Sequence, residues 1–152
     1  MTASENTLAS GKFFRFWSAA NEPRAVVLIS HGLGEHSGRY EHVAAALTAD
    51  NLDVYALDHI GHGKSPGKPA YIDRFSDLTS GVSELRDHIR RHHAGLPVIL
   101  IGHSMGGLIA IRLALGAHAD YAGLILTGPL LGQPEAPSRL QVMLLRVLSV
   151  LA

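Results

Sequence analysis

The sequence predicts an α/β fold: a mostly parallel sheet with helices on both faces and an antiparallel strand at its N-terminal edge. Three observations point there. The runs 25–30, 52–58, 97–102 and 121–128 are apolar enough to be buried on both faces, as strands of a parallel sheet are. Helical periodicity lies between them, most clearly where Phe75, Leu78, Val82, Leu85 and Ile89 recur at steps of three and four. The first two runs end in glycine-rich loops, "HGLGEHSGRY" and "HIGHGKSPGKPA". Strands alternating with helices in this way build a sheet covered on both sides.

Taken in order, residues 12–19, "KFFRFWSA", are rich in β-forming side chains and read as a strand. No helix follows it, so it should pair antiparallel at the edge. "NEPR" (21–24) is a turn, and "AVVLIS" (25–30) the first buried strand. Residues 40–50 are helical, with Tyr40, Val43, Ala44 and Leu47 on one face. "LDVYALD" (52–58) is the second buried strand, and the long amphipathic helix spans about 73–92. "PVILIG" (97–102) is a third strand, 104–115 a helix, and "YAGLILTG" (121–128) a fourth strand. After Pro129 a loop leads to an apolar helix over 140–151, with no further strand.

Composition narrows the function. The chain has 152 residues, 47% apolar and 17% charged, enough for one globular domain with a core. Net charge is zero with histidine neutral, which argues against nucleic acid or a polybasic membrane surface as partner. The absence of cysteine excludes disulfides, thiolate metal sites and a cysteine nucleophile. "MTASENTLAS" carries no basic-then-apolar signal, so a cytoplasmic location is expected. The apolar tail is interrupted by Arg146 and too short to span a bilayer.

The chemistry concentrates at "GHSMG", Gly102 to Gly106, which fits G-x-S-x-G. A nucleophile on a sharp strand-to-helix turn has strained backbone angles, so its neighbours two before and two after must lack side chains. Such a turn lifts the Ser104 hydroxyl above the sheet and aims the Met105 N–H at the oxyanion formed on attack. The pattern alone arises by chance in roughly 5% of chains this long. Its setting, after a buried strand and opening a helix, carries the weight. The second oxyanion donor should come from "SHGLGEHSGRY" (30–40), where Gly32 and Gly34 let the Leu33 N–H approach the substrate. "LDHIGHGKS" (57–65) lies along the same carboxyl edge, where open α/β sheets bind ligands.

Together "HGLGEHSGRY", "DHIGHGKS" and "GHSMGG" resemble the monoacylglycerol lipase and lysophospholipase branch of the α/β-hydrolases, the serine aminopeptidase-like group. The resemblance covers roughly residues 12–131. It implies Ser104 as nucleophile, the Leu33 and Met105 amides as oxyanion hole, single-chain acyl esters such as monoacylglycerols or lysolipids as substrates, and no cofactor. It also implies that residues 1–131 are the N-terminal part of a hydrolase core, truncated before its last strands, and that 132–152 begin a cap.

A serine needs a base, and the base an orienting acid, in the chain order serine, acid, histidine. Downstream of Ser104 the only histidine is His118 and the only acids are Asp120 and Glu135. His118 and Asp120 follow the nucleophile helix at the opposite edge of the sheet, ~18 Å away. Glu135 falls where the resemblance places the cap. None of the three suits the triad, so the chain is expected to be inactive alone and to need a complementing C-terminal chain. The alternative is a non-catalytic remnant or binding module. Of the histidines on loops, His31, His36, His59 and His62 match no zinc spacing. His31 and His59 are expected to orient loops, and the side chain of His103 to point away from that of Ser104. His31 is also the one imagined substitute for the missing base. The tail from Arg139 reads first as an ordinary cap helix and second as a segment meeting a lipid surface transiently. The strand 121–128 should present an apolar edge, which would make the isolated chain marginally soluble.

Overall fold

Both faces of the central strands are occupied, as their apolar sequences require. The computed structural model describes residues 2–116, 121–132, 138 and 141–143. Six strands form one sheet: β1 (Ser4–Thr7), β2 (Phe13–Trp17), β3 (Ala25–Ser30), β4 (Leu52–Leu57), β5 (Val98–His103) and β6 (Gly123–Thr127). Their spatial order is β1-β2-β4-β3-β5-β6. β4, β3, β5 and β6 are parallel, and β1 and β2 add antiparallel at the β4 side.

Three helices connect the parallel strands: α1 (Glu41–Ala49), α2 (Phe75–His92) and α3 (Met105–Ala114). A 3-10 turn, Ser37–Tyr40, leads into α1. Period-two alternation divides β3 between two cores. Val26 and Leu28 pack with Leu78, Val82, Leu85 and Ile89 of α2 and with Ile109 of α3. Ala25, Val27 and Ile29 pack with Ala44 of α1, flanked by Tyr40, Val43 and Leu47. These are the helical faces that the sequence marks.

The antiparallel edge contains two strands rather than one. β1, "SENT", is polar and exposed along its whole length, so it carries no hydrophobic signal. It is held by backbone pairing to β2 and by Glu5, which receives Arg15 at 3.0 Å and Lys64 at 2.6 Å. Coverage thins at the other end. Ile99, Ile101 and His103 of β5 are only half-buried, and Ile125 of the edge strand β6 is 48% exposed. His118, Asp120, Glu135 and the predicted tail helix beyond residue 143 lie outside the described residues. At the start of that helix, Ser138 and Gln141 exchange side-chain-to-backbone hydrogen bonds as a capping box. Among the described residues no helix is long and apolar enough to cross a membrane.

Strand order reverses at β3. The chain steps from β3 to β4 on one side, then returns through α2 to β5 on the other. Loops leaving the carboxyl ends of β3 and β5 therefore diverge, and the crevice between them is where such sheets bind ligands. The ends are level: Ser30 pairs with Leu57, with Gly102 following on β5 and Leu126 on β6. The loop after β4 is anchored by Asp58, fully buried, which accepts the Ser37 N–H at 2.6 Å and the Lys64 N–H at 2.8 Å. A Cβ on Gly63 would overlap that carboxylate. Replacing Asp58 by Ala strands two donors, so it should cost roughly 2–4 kcal/mol in thermal or urea unfolding. Asp58→Asn, which keeps one acceptor, should cost less.

Candidate active site

Ser104 occupies the bend between β5 and α3 with φ 51° and ψ −113°, a region that side chains other than glycine rarely enter. Holding it there costs on the order of 1–3 kcal/mol, which the surrounding backbone bonds must offset. The Ser104 N–H donates to Thr127 O at 3.0 Å. Its carbonyl accepts from Leu108 N at 3.2 Å and Leu130 N at 3.0 Å.

The flanking glycines are sterically obligatory. A Cβ on Gly102 would lie 2.5 Å from the Gly106 carbonyl oxygen, and one on Gly106 would overlap the Ser30 carbonyl. Gly107, a third glycine whose role the motif leaves unstated, sits 2.8 Å (from its missing Cβ) to the Pro129 side chain. Small residues thus let the first turn of α3 rest directly on the end of β3.

The loop after β3 closes against this bend. Gly32 is buried, and its missing Cβ would lie 3.3 Å from Ser104 Cβ and 3.2 Å from His103 Cδ2. Residues 32–35 make a tight turn, with Glu35 N–H donating to Gly32 O at 3.3 Å and Gly34 at φ +71°. Leu33, at the turn's outer corner, is 63% exposed. Among the described residues its N–H has no partner. The same holds for the N–H of buried Met105, one of the orphan donors of a helix's first turn.

His31 and His59 are fully enclosed behind the loop. His31 Nδ1–H donates to Gly32 O at 2.7 Å, and its Nε2 accepts the His59 N–H at 3.0 Å. Burial pushes the His31 imidazole down to about 4, although the Gly32 carbonyl favours the proton. Both ring nitrogens being engaged, His31 has none left to take a proton from Ser104. His59 shares a 2.9 Å hydrogen bond with the Ser30 hydroxyl, and burial pushes its value far down. The rings of His31 and His59 meet edge-on at 4.5 Å. His103 bonds the Thr127 carbonyl at 3.0 Å and hydroxyl at 2.9 Å through Nδ1. It lines a cavity of about 370 Å³ with Tyr40, Ile101 and Ile125. Among the described residues no hydrogen bond reaches the Ser104 hydroxyl, and no cluster of three acids or histidines is placed to hold a metal.

Glu35 escapes a sequence reading. Its Oε2 accepts the Gly32 N–H at 3.0 Å and the Tyr40 hydroxyl at 2.9 Å, and Arg39 stands 3.6 Å from Oε1. Partial burial raises the carboxyl, but these donors and His103 outweigh it and hold it below the ordinary carboxylate value. The one sequence signal is its place three residues after Gly32, where a side chain can fold back on the turn.

Ser104→Gly should relieve the positive-φ strain that Ser104→Ala retains, leaving the glycine variant more stable by about 1 kcal/mol in denaturant unfolding. A folded His31 value near 4, against an ordinary value near 6.5, means the unfolded chain takes up the proton first as pH falls. The His31 contribution to stability should be complete above pH ~6.5 and drain away toward pH 4. Thermal midpoints across that range should show the loss, and ring ¹⁵N shifts should show His31 neutral, protonated on Nδ1, at pH 6.

The family described as "Serine aminopeptidase, S33" matches residues 21–152. The monoglyceride lipase of Homo sapiens is 41% identical over 139 residues, 91% of this chain and 46% of that protein. The monoacylglycerol lipase of Mycolicibacterium smegmatis is 38% identical over 136 residues, 90% of this chain and 49% of that one. A crystal structure of a soluble variant of monoglyceride lipase from Saccharomyces cerevisiae, in complex with a substrate analog, superposes with a TM-score of 0.71 at 25% identity. It covers 85% of this chain and 46% of that one. The chain spans about half the length of these relatives. With the family matched over most of its residues and the elbow built as its glycines require, the chain belongs to the serine aminopeptidase S33 family of α/β-hydrolases.

Proposed function

We propose that this chain is the nucleophile-bearing half of a serine carboxylic ester hydrolase acting on monoacylglycerols or lysophospholipids. The observation that carries it is Ser104 at positive φ on the β5–α3 bend, with the unpartnered Leu33 and Met105 amides beside it. In the proposed reaction Ser104 Oγ attacks the ester carbonyl carbon and gives up its proton. The two amides receive the resulting oxyanion. Collapse expels the alcohol and leaves an acyl group on Ser104, which water then removes. Leu33, Leu130 and Leu131 are exposed, Leu130 is bonded to the Ser104 carbonyl, and an acyl chain would find apolar surface there.

The proton acceptor is the open part. His31 has both ring nitrogens bonded and His59 is fully buried, so in this reading the base comes from a complementing C-terminal polypeptide. The same engaged histidines favour the second reading, a non-catalytic remnant of the fold.

Incubation with a fluorophosphonate probe and a short p-nitrophenyl ester separates the two. The chain alone should turn over slowly, and adding the C-terminal half of a monoacylglycerol lipase should raise Ser104 labelling by about 10²–10⁴. Ser104→Ala should abolish both. Absence of labelling with and without the second half supports the remnant. Fast turnover by the chain alone, lost in Ser104→Ala, would show a base within this polypeptide and overturn the need for a partner.

A further inference from the structure

We propose that Glu35 is a positioning residue for the oxyanion donor, fixing the direction of the Leu33 N–H through the Gly32 peptide units. The inference rests on the Ser104 reading and goes beyond it by naming what holds the donor before any substrate arrives.

Glu35 engages the turn at both ends. Its backbone N–H donates to Gly32 O at 3.3 Å, and its Oε2 accepts Gly32 N–H at 3.0 Å. The carbonyl of Gly32 and the N–H of Leu33 belong to one planar trans peptide, so they point in opposite directions. Whatever fixes that carbonyl fixes the donor. His31 Nδ1–H grips the same oxygen at 2.7 Å, from inside the fold. Without the carboxylate, Gly32 retains no anchor on its N–H, and glycine's wide conformational range would let the peptide swing.

The bond also disposes of a competing donor. Gly32 lies close to the bend, since its missing Cβ would touch Ser104 Cβ at 3.3 Å. With Gly32 N–H committed to Glu35, the adjoining Leu33 N–H remains unpartnered among the described residues. Tyr40, at the start of α1, holds the carboxylate in place through its hydroxyl at 2.9 Å. Arg39 contributes less, being exposed and 3.6 Å away. A carboxylate so occupied is not the missing base, because its lone pairs on Oε2 are spent on Gly32 and Tyr40.

Backbone ¹⁵N relaxation and N–H residual dipolar couplings on the intact 152-residue chain read this directly. In the parent, Leu33 N–H should be rigid, with an order parameter near ~0.85. In Glu35→Ala it should fall toward ~0.6 with a changed coupling, while Met105 and Ser37 amides stay as they were. Glu35→Gln, whose amide oxygen still accepts from Gly32, should restore Leu33. Glu35→Asp, one methylene short, should not. If Glu35→Ala fails to fold, the Gln and Asp variants decide, and equal rigidity at Leu33 in both overturns the proposal. So does an unchanged Leu33 in Glu35→Ala. Phosphonylation of Ser104, followed by intact mass, should slow at least about tenfold in Glu35→Asp relative to Glu35→Gln. If Leu33 follows Glu35 but Ser104 never reacts, the clamp stands and the ester-hydrolase reading falls.

Discussion

The site depends on one close approach: α3 begins directly on the end of β3 because Gly106 has no side chain. A methyl group there would overlap the Ser30 carbonyl and crowd that of His31 at 2.6 Å. Since β3 and β5 pair in register up to Ser30 and Gly102, that contact fixes the bend at Ser104 relative to the loop that starts at His31. The Ser104 bend and the 31–35 loop are therefore placed by the sheet's own hydrogen bonds. Binding energy need not be used to bring them together, which is the advantage of a preorganised donor set.

A second layer of constraint is polar and buried. Asp58 and His31 each join backbone groups of different loops, His59 holds the Ser30 hydroxyl and Glu35 the Gly32 N–H, and the first three are fully enclosed. Unsatisfied, such groups would be costly, and satisfied they leave the loops few alternatives. The price is pH sensitivity, because burial favours the neutral imidazoles on which the network is built.

Much of this was legible in the sequence because it is repetitive or steric. "AVVLIS" and "LDVYAL" are buried on both faces, and Phe75 to Ile89 show helical spacing because each must meet one core. Gly102 and Gly106 mark the elbow because nothing larger fits. "SENT" could not be read as β1, since a polar edge strand held by backbone pairing has no apolar alternation. Glu35 and Asp58 were illegible as anchors for a different reason: their partners are backbone amides, which have no side-chain signature. Gly107 lies outside the G-x-S-x-G pattern, and the reason for it is Pro129, whose side chain would lie 2.8 Å from a Cβ there.

The uneven covering of the sheet shows how the work is divided. β3 and β4 are sealed on both faces, and the side chains of His31, Glu35 and Asp58 that hold the oxyanion loop find their partners within residues 30–65. At β5 and β6 one face opens, and the cavity there is lined by Ile101 and Ile125 beside His103. An edge strand with exposed Leu124 and Ile125 is a surface that folded proteins ordinarily cover. The relatives are about twice as long as this chain. Under the proposed function, the Leu33 and Met105 amides would receive the oxyanion as the loops already hold them. His31 is unsuited to accept the Ser104 proton, because holding two loops together has already committed both of its ring nitrogens.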